Sequence, residues 1–274
     1  MSETKNNHFI PQFYLSAWAD HQKKTFCLNK KTKYIFHSSI RNLCADRLWN
    51  PEIEKKFSEL EEKYWQPVLK KLLRTENINI LSKKEIENFL SFAIALKTRR
   101  KQIVDEIRAE VKKSQEELEK KWLLQGKATL EDIAFLKTKE EEIDTEVFPN
   151  TYNPEKLFAN SSKNWRMNQL KYFNFAIKKN VHGKTSLFCS ENPSLFFRVP
   201  GTRSLGYQFL LPISPKILLF GARGVSLFIK MYNQSAESLF LEYNKEIIEQ
   251  SDFIISPDKL QLETCLNPLE TLTQ

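Results

Sequence analysis

Residues 186–220 of the chain read SLFCSENPSLFFRVPGTRSLGYQFLLPISPKILLF, and this stretch decides the fold class. Short apolar and aromatic runs, which favour β-strands, are separated by Asn-Pro, Pro-Gly and Pro-Ile-Ser-Pro sequences, which favour turns. Because turns rather than helices join the runs, we expect a mainly antiparallel sheet region here. The predicted strands are Ser186–Cys189, Leu195–Val199, Tyr207–Leu211 and Ile217–Phe220.

Helical patterns come before this strand-rich stretch. Apolar residues recur at three- and four-residue spacing over residues 52–74 and predict a helix there. Ser82 and Glu85 form a capping-box pattern, which predicts the start of a second helix. No Gly or Pro follows before Gly126, so we expect the second helix to continue to that residue.

Gly126 is followed by the start of a return helix. Thr129 is a suitable N-cap, and the return helix is predicted to reach about Val147, which makes an αα-hairpin. Residues 105–147 carry mixed charges, so we expect them to project from the body as a solvated arm. A further helix is predicted over about Glu155–Lys179.

The two ends of the chain add short elements. Residues 25–36 predict a β-hairpin, and residues 236–250 and 253–255 predict a final helix and a final strand. The order of hairpin, helices, strands, helix and strand indicates an α+β fold, in which the C-terminal sheet packs on a helical bundle. We expect a single domain over 1–274, with an N-terminal segment at 1–51, a helical region at 52–182 and a sheet region at 183–274.

Composition excludes several classes of protein. No apolar run reaches about 18 residues, so we expect no membrane-spanning helix and no membrane partner. The four cysteines are scattered and form no CxxC pair, which indicates reduced thiols in a cytoplasmic protein rather than disulfides or a zinc site. The motifs HExxH, GxSxG and GxxxxGK[ST] are absent, and we expect neither a cofactor nor a metal.

Charge is distributed unevenly along the chain. Residues 156–236 carry twelve Lys or Arg and one acid, whereas residues 237–274 carry eight acids and two lysines. A segment with this bias is expected to bind nucleic acid or another polyanion, unless the acidic C-terminal part neutralises it. The residues predicted to bind nucleic acid are Lys163, Arg166, Lys171, Lys178, Lys179 and Lys184.

Arg99 falls on the apolar side of the second helix, three residues after Leu96. A buried arginine cannot lose its charge, so it needs an anion or several acceptors. Two interpretations stay open. Arg99 forms a structural pair with a carboxylate of the protein, or it binds a phosphate or carboxylate of a substrate.

Polar residues of two further segments are candidates for a site. Ser190, Glu191 and Asn192 follow a predicted strand and precede Pro193, a common place for site residues or for an ordinary turn. Glu191 is the single acid of the basic segment, and nearby cations should keep it ionised as a base or orienting group.

Near the N-terminus, His8 and Gln12 flank an apolar cluster. We therefore expect this segment to dock on the body of the protein. A histidine there could act as a general acid or base, although a lone histidine near a terminus is more often a surface or packing residue.

These motifs together resemble a known family. The start His8-x-x-Pro11-Gln12-Phe13-Tyr14-Leu15 resembles the HxxPQFYL start of the bacterial "domain of unknown function 4238" family. Residues 190–193 are similar to its SDNP motif, with Glu191 in place of the usual aspartate, and residues 211–215 are similar to its PLSP motif. Arg99 matches an arginine of its central helix. The resemblance covers almost the whole chain but implies no activity.

Two hypotheses for function follow. In the first, His8, Arg99 and Glu191 share a pocket of an enzyme that acts on a phosphate-containing substrate, such as a metal-independent hydrolase or nuclease of a toxin or phage-defence system. His8 would be the acid or base, Arg99 the phosphate ligand, and Glu191 would orient His8 or a water, while Gln12, Ser190 and Asn192 bind substrate. In the second, the protein is a non-catalytic module that binds nucleic acid through the basic segment, or a protein partner or second copy through the arm.

Overall fold

The computed structural model describes residues 7–46, 51–99, 109, 113, 116, 117, 119–132, 153–155, 172–198 and 207–271. The N-terminal part contains short strands and helices: β1 (Asn7–His8), α1 (Gln12–Leu15), β2 (Lys24–Asn29), β3 (Tyr34–Ser39) and β4 (Ala45–Asp46). The predicted hairpin is confirmed, because β2 and β3 pair antiparallel from Lys24↔Ser39 to Asn29↔Tyr34.

Helices form the next part of the chain. The predicted helix over 52–74 is present as α2 (Pro51–Leu60), a π-helical turn (Glu61–Trp65) and α3 (Gln66–Thr75), which follow one another without a break. The capping box before α4 (Lys83–Thr98) is also confirmed, since Ser82 and Glu85 each accept a hydrogen bond from the other's main-chain N–H.

The prediction that this helix runs without interruption to Gly126 is wrong. Helix α4 ends at Thr98, and Arg99 is its C-cap with φ −77° and ψ 0°. The Arg99 side chain is fully buried, so a tertiary contact acts at the residue where the local pattern would continue the helix. Residues 100–108, where the continuation was expected, lie outside the described residues.

The tip of the predicted αα-hairpin is confirmed in detail. Residues 119–124 are helical, and Gly126 has φ +63°, a left-handed conformation that glycine adopts without strain. The N–H of Lys127 donates to the carbonyl of Trp122 at 2.9 Å, and that of Gly126 to Leu123 at 3.1 Å, which is a Schellman motif. Thr129 then caps the return helix, because its Oγ1 accepts from the N–H of Asp132 at 3.2 Å.

Residues 172–198 and 207–271 form six strands and three helices. The strands are β5 (Phe173–Lys179), β6 (Cys189–Ser190), β7 (Leu195–Arg198), β8 (Tyr207–Ser214), β9 (Ile217–Arg223) and β10 (Phe253–Ser256), and the helices are α5 (Val225–Asn233), α6 (Ala236–Gln250) and α7 (Lys259–Thr271). Strand β6 is shorter than predicted, β8 and β9 are longer, and neither α5 nor α7 was predicted.

The predicted helix over Glu155–Lys179 is wrong in its last part. Residues 173–179 form β5, which pairs antiparallel with β9 from Phe173↔Arg223 to Lys179↔Ile217. Residues 156–171 of the predicted helix lie outside the described residues, and in 173–179 seven residues of ladder pairing with a buried strand outweigh a local preference for helix.

Two four-stranded antiparallel sheets organise the molecule. Their strand orders are β3-β2-β10-β6 and β5-β9-β8-β7, and β1 and β4 form a separate pair. Strand β8 is buried on both faces: Phe209 and Leu211 belong to a core with α3 and α4, and Leu210 belongs to a second core with α6. The sheet therefore lies between two helical layers, which confirms the α+β class.

Strand β10 brings the N-terminal and C-terminal parts of the chain into one sheet. Strand β10 lies between β2 of the N-terminal hairpin and β6. The division into one domain with three sub-regions stays a prediction. Within the described ranges, no helix is long and apolar enough to cross a bilayer.

Candidate functional site

Arg99 is enclosed by residues of α2 and the π-helical turn. Its side chain is 0% exposed, and Nη1 donates to Glu61 Oε1 at 2.8 Å. Nη2 lies 3.9 Å from Glu54 Oε2, and the guanidinium lies 4.0 Å from the centroid of the Phe57 ring. The cation is therefore stacked on an aromatic ring and shared between two carboxylates.

These neighbours determine what Arg99 can do. Burial raises the pKa of Glu61 above its ordinary value, and the positive charge of Arg99 opposes that shift. Two carboxylates beside one guanidinium make a poor site for a phosphate, which would be repelled by both. The contacts match the structural pair, the first of the two interpretations of Arg99.

Glu191 lies at the end of β6, where the sheet meets the start of β10. Its side chain is buried, Oε1 accepts from the N–H of Asp252 at 2.6 Å, and Oε2 accepts from the N–H of Phe253 at 3.0 Å. Hydrogen bonds from main-chain N–H groups stabilise the charged form of a carboxylate. The contacts of Glu191 thus hold the first residues of β10 in place.

The residues on both sides of Glu191 form a turn. Ser190 Oγ accepts from the N–H of Asn192 at 3.0 Å, as expected of an ST-type turn before a proline. Asn192 is also buried, and its Oδ1 accepts no hydrogen bond from any residue that the structure describes. This oxygen is a place where a water or a donor of a ligand would be favourable.

Side chains from distant parts of the chain hold the whole segment 186–193. Asn244 of α6 accepts from the N–H of Phe188 at 2.9 Å and donates to the carbonyl of Ser186 at 2.7 Å. Trp18 Nε1 donates to the carbonyl of Leu187 at 3.0 Å, and the hydroxyl of Tyr243 donates to that of Pro193 at 2.9 Å. The segment has no helical or extended ladder of its own over most of its length, so these bonds satisfy its main chain.

The N-terminal segment docks on the body of the protein, as predicted, since Ile10, Tyr14 and Leu15 are fully buried. Tyr14 donates to the carbonyl of Pro212 at 2.5 Å, and the main chain of His8 pairs with Ala45, next to Cys44. Burial, followed by neighbouring groups that include Glu191, raises the pKa of the Cys44 thiol. The side chain of His8 lies outside the described residues, whereas Gln12, the first residue of α1, is exposed.

Arg99 and the loop of Ser190, Glu191 and Asn192 lie on different elements. The loop follows β6, at the edge of the sheet that contains β10, and the main chain of His8 pairs with Ala45 in the separate β1–β4 pair. Arg99 has Glu54, Phe57 and Glu61 of α2 and the π-helical turn among its neighbours. A shared pocket for His8, Arg99 and Glu191 stays a prediction.

Three of the six residues predicted to bind nucleic acid lie within the described residues. Lys178 Nζ donates to the carbonyl of Tyr232 at 2.5 Å, and Lys179 Nζ lies 2.6 Å from Glu76 Oε2. Lys184 is exposed. The other three, which are Lys163, Arg166 and Lys171, lie outside the described residues.

Glu237 is one acidic residue of the C-terminal part that contacts the basic segment. Glu237 accepts hydrogen bonds from Asn180 and Thr185, which with the charge of Lys216 lower its pKa. The rest of α6 buries its apolar residues against the sheet. Glu237, next to the loop that follows β5, is therefore a place where the acidic part offsets positive charge of the basic segment, that of Lys216.

Two exposed tyrosines of the basic segment were not predicted as functional residues. Tyr172 is 62% exposed and has the Arg223 guanidinium 5.5 Å from its ring centroid, while Tyr232 is 54% exposed and has Lys178 Nζ at 5.1 Å. Both distances are in the range of a cation–π contact. Tyr172 falls within the helix predicted over Glu155–Lys179, and α5, which carries Tyr232, was not predicted at all.

The tip of the arm exposes apolar side chains. Leu124 is 89% and Leu130 75% exposed, and Trp122 and Leu123 are exposed as well. Every described residue between 109 and 132 is at least partly exposed. The well-formed turn thus presents an apolar cluster to solvent, which is unusual unless the cluster contacts a partner.

Metal-ligating residues are not assembled in the part of the chain that is described, where no group of three His, Cys, Asp or Glu is placed to hold an ion. Comparison with family models gives one match, to a family described as "Protein of unknown function (DUF4238)", over residues 6–259. Comparison with curated proteins and with solved structures gives no match.

Proposed function

The chain belongs to the DUF4238 family of proteins of unknown function, and we propose that it is a non-catalytic module that binds nucleic acid through its basic segment. The observation that carries the proposal is the surface of β5, β9 and α5. These elements contain Lys178, Lys179, Arg223 and Lys230 and no acidic residue of their own, while Glu76, the C-cap of α3, pairs with Lys179. A surface with an excess of positive charge attracts polyanions and releases their counterions on binding.

The environment of Arg99 favours this module over the phosphate-processing enzyme. An arginine that binds substrate must reach the ligand, but the Arg99 side chain is fully buried and its cation is shared with Glu54 and Glu61. Glu191 likewise has main-chain N–H groups on both carboxylate oxygens. Under this proposal both residues belong to a buried polar network that supports the fold.

Binding to nucleic acid can be measured by fluorescence anisotropy of labelled 20-mers, single- and double-stranded, at several salt concentrations. We expect binding at low salt that weakens steeply as salt increases, because each phosphate contact releases a counterion. The variant Lys230→Ala should reduce the slope of log affinity against log salt concentration by about one, because one phosphate contact is removed. The matched control is Lys31→Ala, which changes an exposed lysine of the N-terminal hairpin and should leave the salt dependence unchanged. Absence of binding at low salt for both forms would overturn the proposal.

The arm tip supports a second candidate function, which is association with another copy of the chain. Four exposed apolar side chains surround one ordered turn at residues 122–130, and no acid lies between Glu119 and Glu131 to oppose contact with an apolar surface. Sedimentation velocity should show concentration-dependent self-association that the double variant Leu124→Asp, Leu130→Asp loses. Leu241→Asp, on an exposed part of α6, should leave it unchanged. A monomer at all concentrations would refute self-association through the arm.

A further inference from the structure

We propose that the ligand of the basic surface is single-stranded nucleic acid, and that Tyr172 and Tyr232 stack on its bases. The inference rests on the proposed function, since it names the form of nucleic acid and the residues that select it. The surface concerned, termed the tyrosine strip, consists of Tyr172, Asn174, Lys178, Arg223, Val225, Ile229, Lys230 and Tyr232.

The two ends of the tyrosine strip each hold a tyrosine against a cation. At one end Arg223, the last residue of β9, lies over Tyr172, which directly precedes β5. At the other end Lys178 lies over Tyr232 and also donates to the Tyr232 carbonyl. A positive charge at the last turn of α5 is favourable for the helix dipole, so Lys178 fixes the helix end and the ring together.

Helix α5 connects these two ends. It starts at Val225, two residues after Arg223, packs on β5 and β9, and reaches Lys178 at its last turn. The side that faces the sheet is formed by the buried Met231 and the partly buried Phe228, whose ring lies 5.8 Å from that of Phe220. The opposite side of the helix is exposed at Val225, Ile229 and Lys230. A continuous surface therefore joins the two tyrosines.

The length of the strip suits a short run of nucleotides. From Phe173 to Lys178 the strand advances five residues, which at ~3.3 Å each gives roughly 17 Å between the two ends. Asn174, which lies between them on β5, is exposed. The strip thus offers two ring faces, one at each end, with apolar and amide groups between them and cations beside them.

The chemistry of the strip favours unpaired bases over a duplex. Exposed aromatic rings bind single strands because unpaired bases offer a free π-face, whereas the bases of a duplex are stacked on one another. Lysine and arginine next to the rings bind the phosphates between the bases. A lipid or an acidic protein could bind to the positive charges alone. Neither ligand would make use of two separated tyrosines that each have a cation on one side of the ring.

The test compares single-stranded and double-stranded 12-mers with four variants of the full chain. The variants Tyr172→Ala and Tyr232→Ala should each weaken binding to an oligo-dT by about tenfold, while Tyr172→Phe and Tyr232→Phe should keep it, because phenylalanine stacks as tyrosine does. Tyr34→Ala is the matched control, since Tyr34 is equally exposed but lies on the N-terminal hairpin. The slope of affinity against salt should not change in the tyrosine variants, because no phosphate contact is removed.

Each outcome is informative. The inference is supported if the wild type binds the single strand more tightly than the duplex, if the alanine variants lose this preference and if the phenylalanine variants keep it. Equal binding of both forms with no effect of the alanine variants overturns the role of the tyrosines, although the proposed binding of nucleic acid would stand. No binding to either form overturns both. Melting curves of the two alanine variants, which change exposed residues, distinguish lost contacts from lost fold.

Discussion

The guanidinium of Arg99 donates to the carboxylate of Glu61 at 2.8 Å across the junction between α4 and the π-helical turn. Both partners are largely withdrawn from solvent, and the ring of Phe57 covers the cation. Pairs of this kind cost desolvation energy to form, but removing one partner leaves an uncompensated charge. The pair therefore predicts a large effect on stability that an exposed pair would not show.

The variant Arg99→Met should lower the free energy of unfolding by about 3–5 kcal/mol, because it leaves two carboxylates without their cation. Lys179→Met breaks a half-exposed pair with Glu76 and should lower it by no more than about 1 kcal/mol. Urea unfolding measures both. Adding Glu61→Gln to Arg99→Met should restore part of the loss, since one of the carboxylates is then neutral. If Arg99→Met is as stable as Lys179→Met, the pair is not structural and the substrate-binding interpretation of Arg99 gains support.

The variant Glu191→Gln should also destabilise the fold. A side-chain amide has one oxygen in place of two, so the N–H of Asp252 or of Phe253 would lose its acceptor. A buried donor without a partner costs about 1–3 kcal/mol. Urea unfolding should show this loss, and Glu249→Gln, an exposed change on α6, should have no effect.

The enzyme hypothesis makes a different prediction for the same variant. If Glu191 acts on a phosphodiester substrate, Glu191→Gln should lower the hydrolysis of bis(p-nitrophenyl) phosphate by about 10²–10⁴-fold. The measurement is the initial rate at neutral pH with the wild-type chain alongside. A wild-type chain without hydrolysis would argue against this hypothesis. A stable variant with undiminished activity would contradict both roles of Glu191.

Acid should weaken the start of α4. Lys71, whose Nζ donates to Glu85 Oε1 at 2.7 Å, and then the N–H of Ser82 lower the pKa of Glu85 to about 2. A carboxyl with a lower pKa in the folded state contributes stability above its unfolded pKa, and the contribution is lost as pH falls through the folded value. The melting temperature of the wild type should therefore fall more steeply between about pH 4.5 and pH 2 than that of Glu85→Gln. Equal slopes would show that the capping box carries no such contribution.

The four thiols are predicted to be free and slow to react. The structure contains no disulfide between Cys27, Cys44, Cys189 and Cys265, and burial raises the pKa of Cys27 to about 12 and of Cys265 to about 11. Because the thiolate is the reactive form, labelling of the native protein at neutral pH should be slow. Titration with Ellman's reagent in denaturant, without reductant, should find four groups. Two or none would mean disulfides and would contradict the expected cytoplasmic location.

Local sequence signals predicted the elements that depend on near neighbours. Helix α6, Ala236–Gln250, has the predicted bounds, and the turn at Gly126 and the cap at Thr129 are present. Each relies on interactions between residues at most five apart, which a sequence displays directly. Residues 173–179 have no such signal, because their strand exists only through pairing with β9, whose residues lie 38 to 50 positions later.

For the candidate site, the sequence alone determined that Arg99 needs an anion, that Glu191 and Asn192 end a strand, and that residues 156–236 carry almost no acid. Which anion Arg99 obtains was decided by the packing of α4 on the π-helical turn, which brings Glu61 to it from 38 residues away. The exposure of Tyr232 was decided by the docking of α5 on the sheet, which buries Met231 and partly buries Phe228 instead. Side chains of the same type are buried or exposed depending on which face of their helix or strand packs against the rest of the protein. That choice depends on the sum of long-range contacts and not on the residues adjacent in sequence.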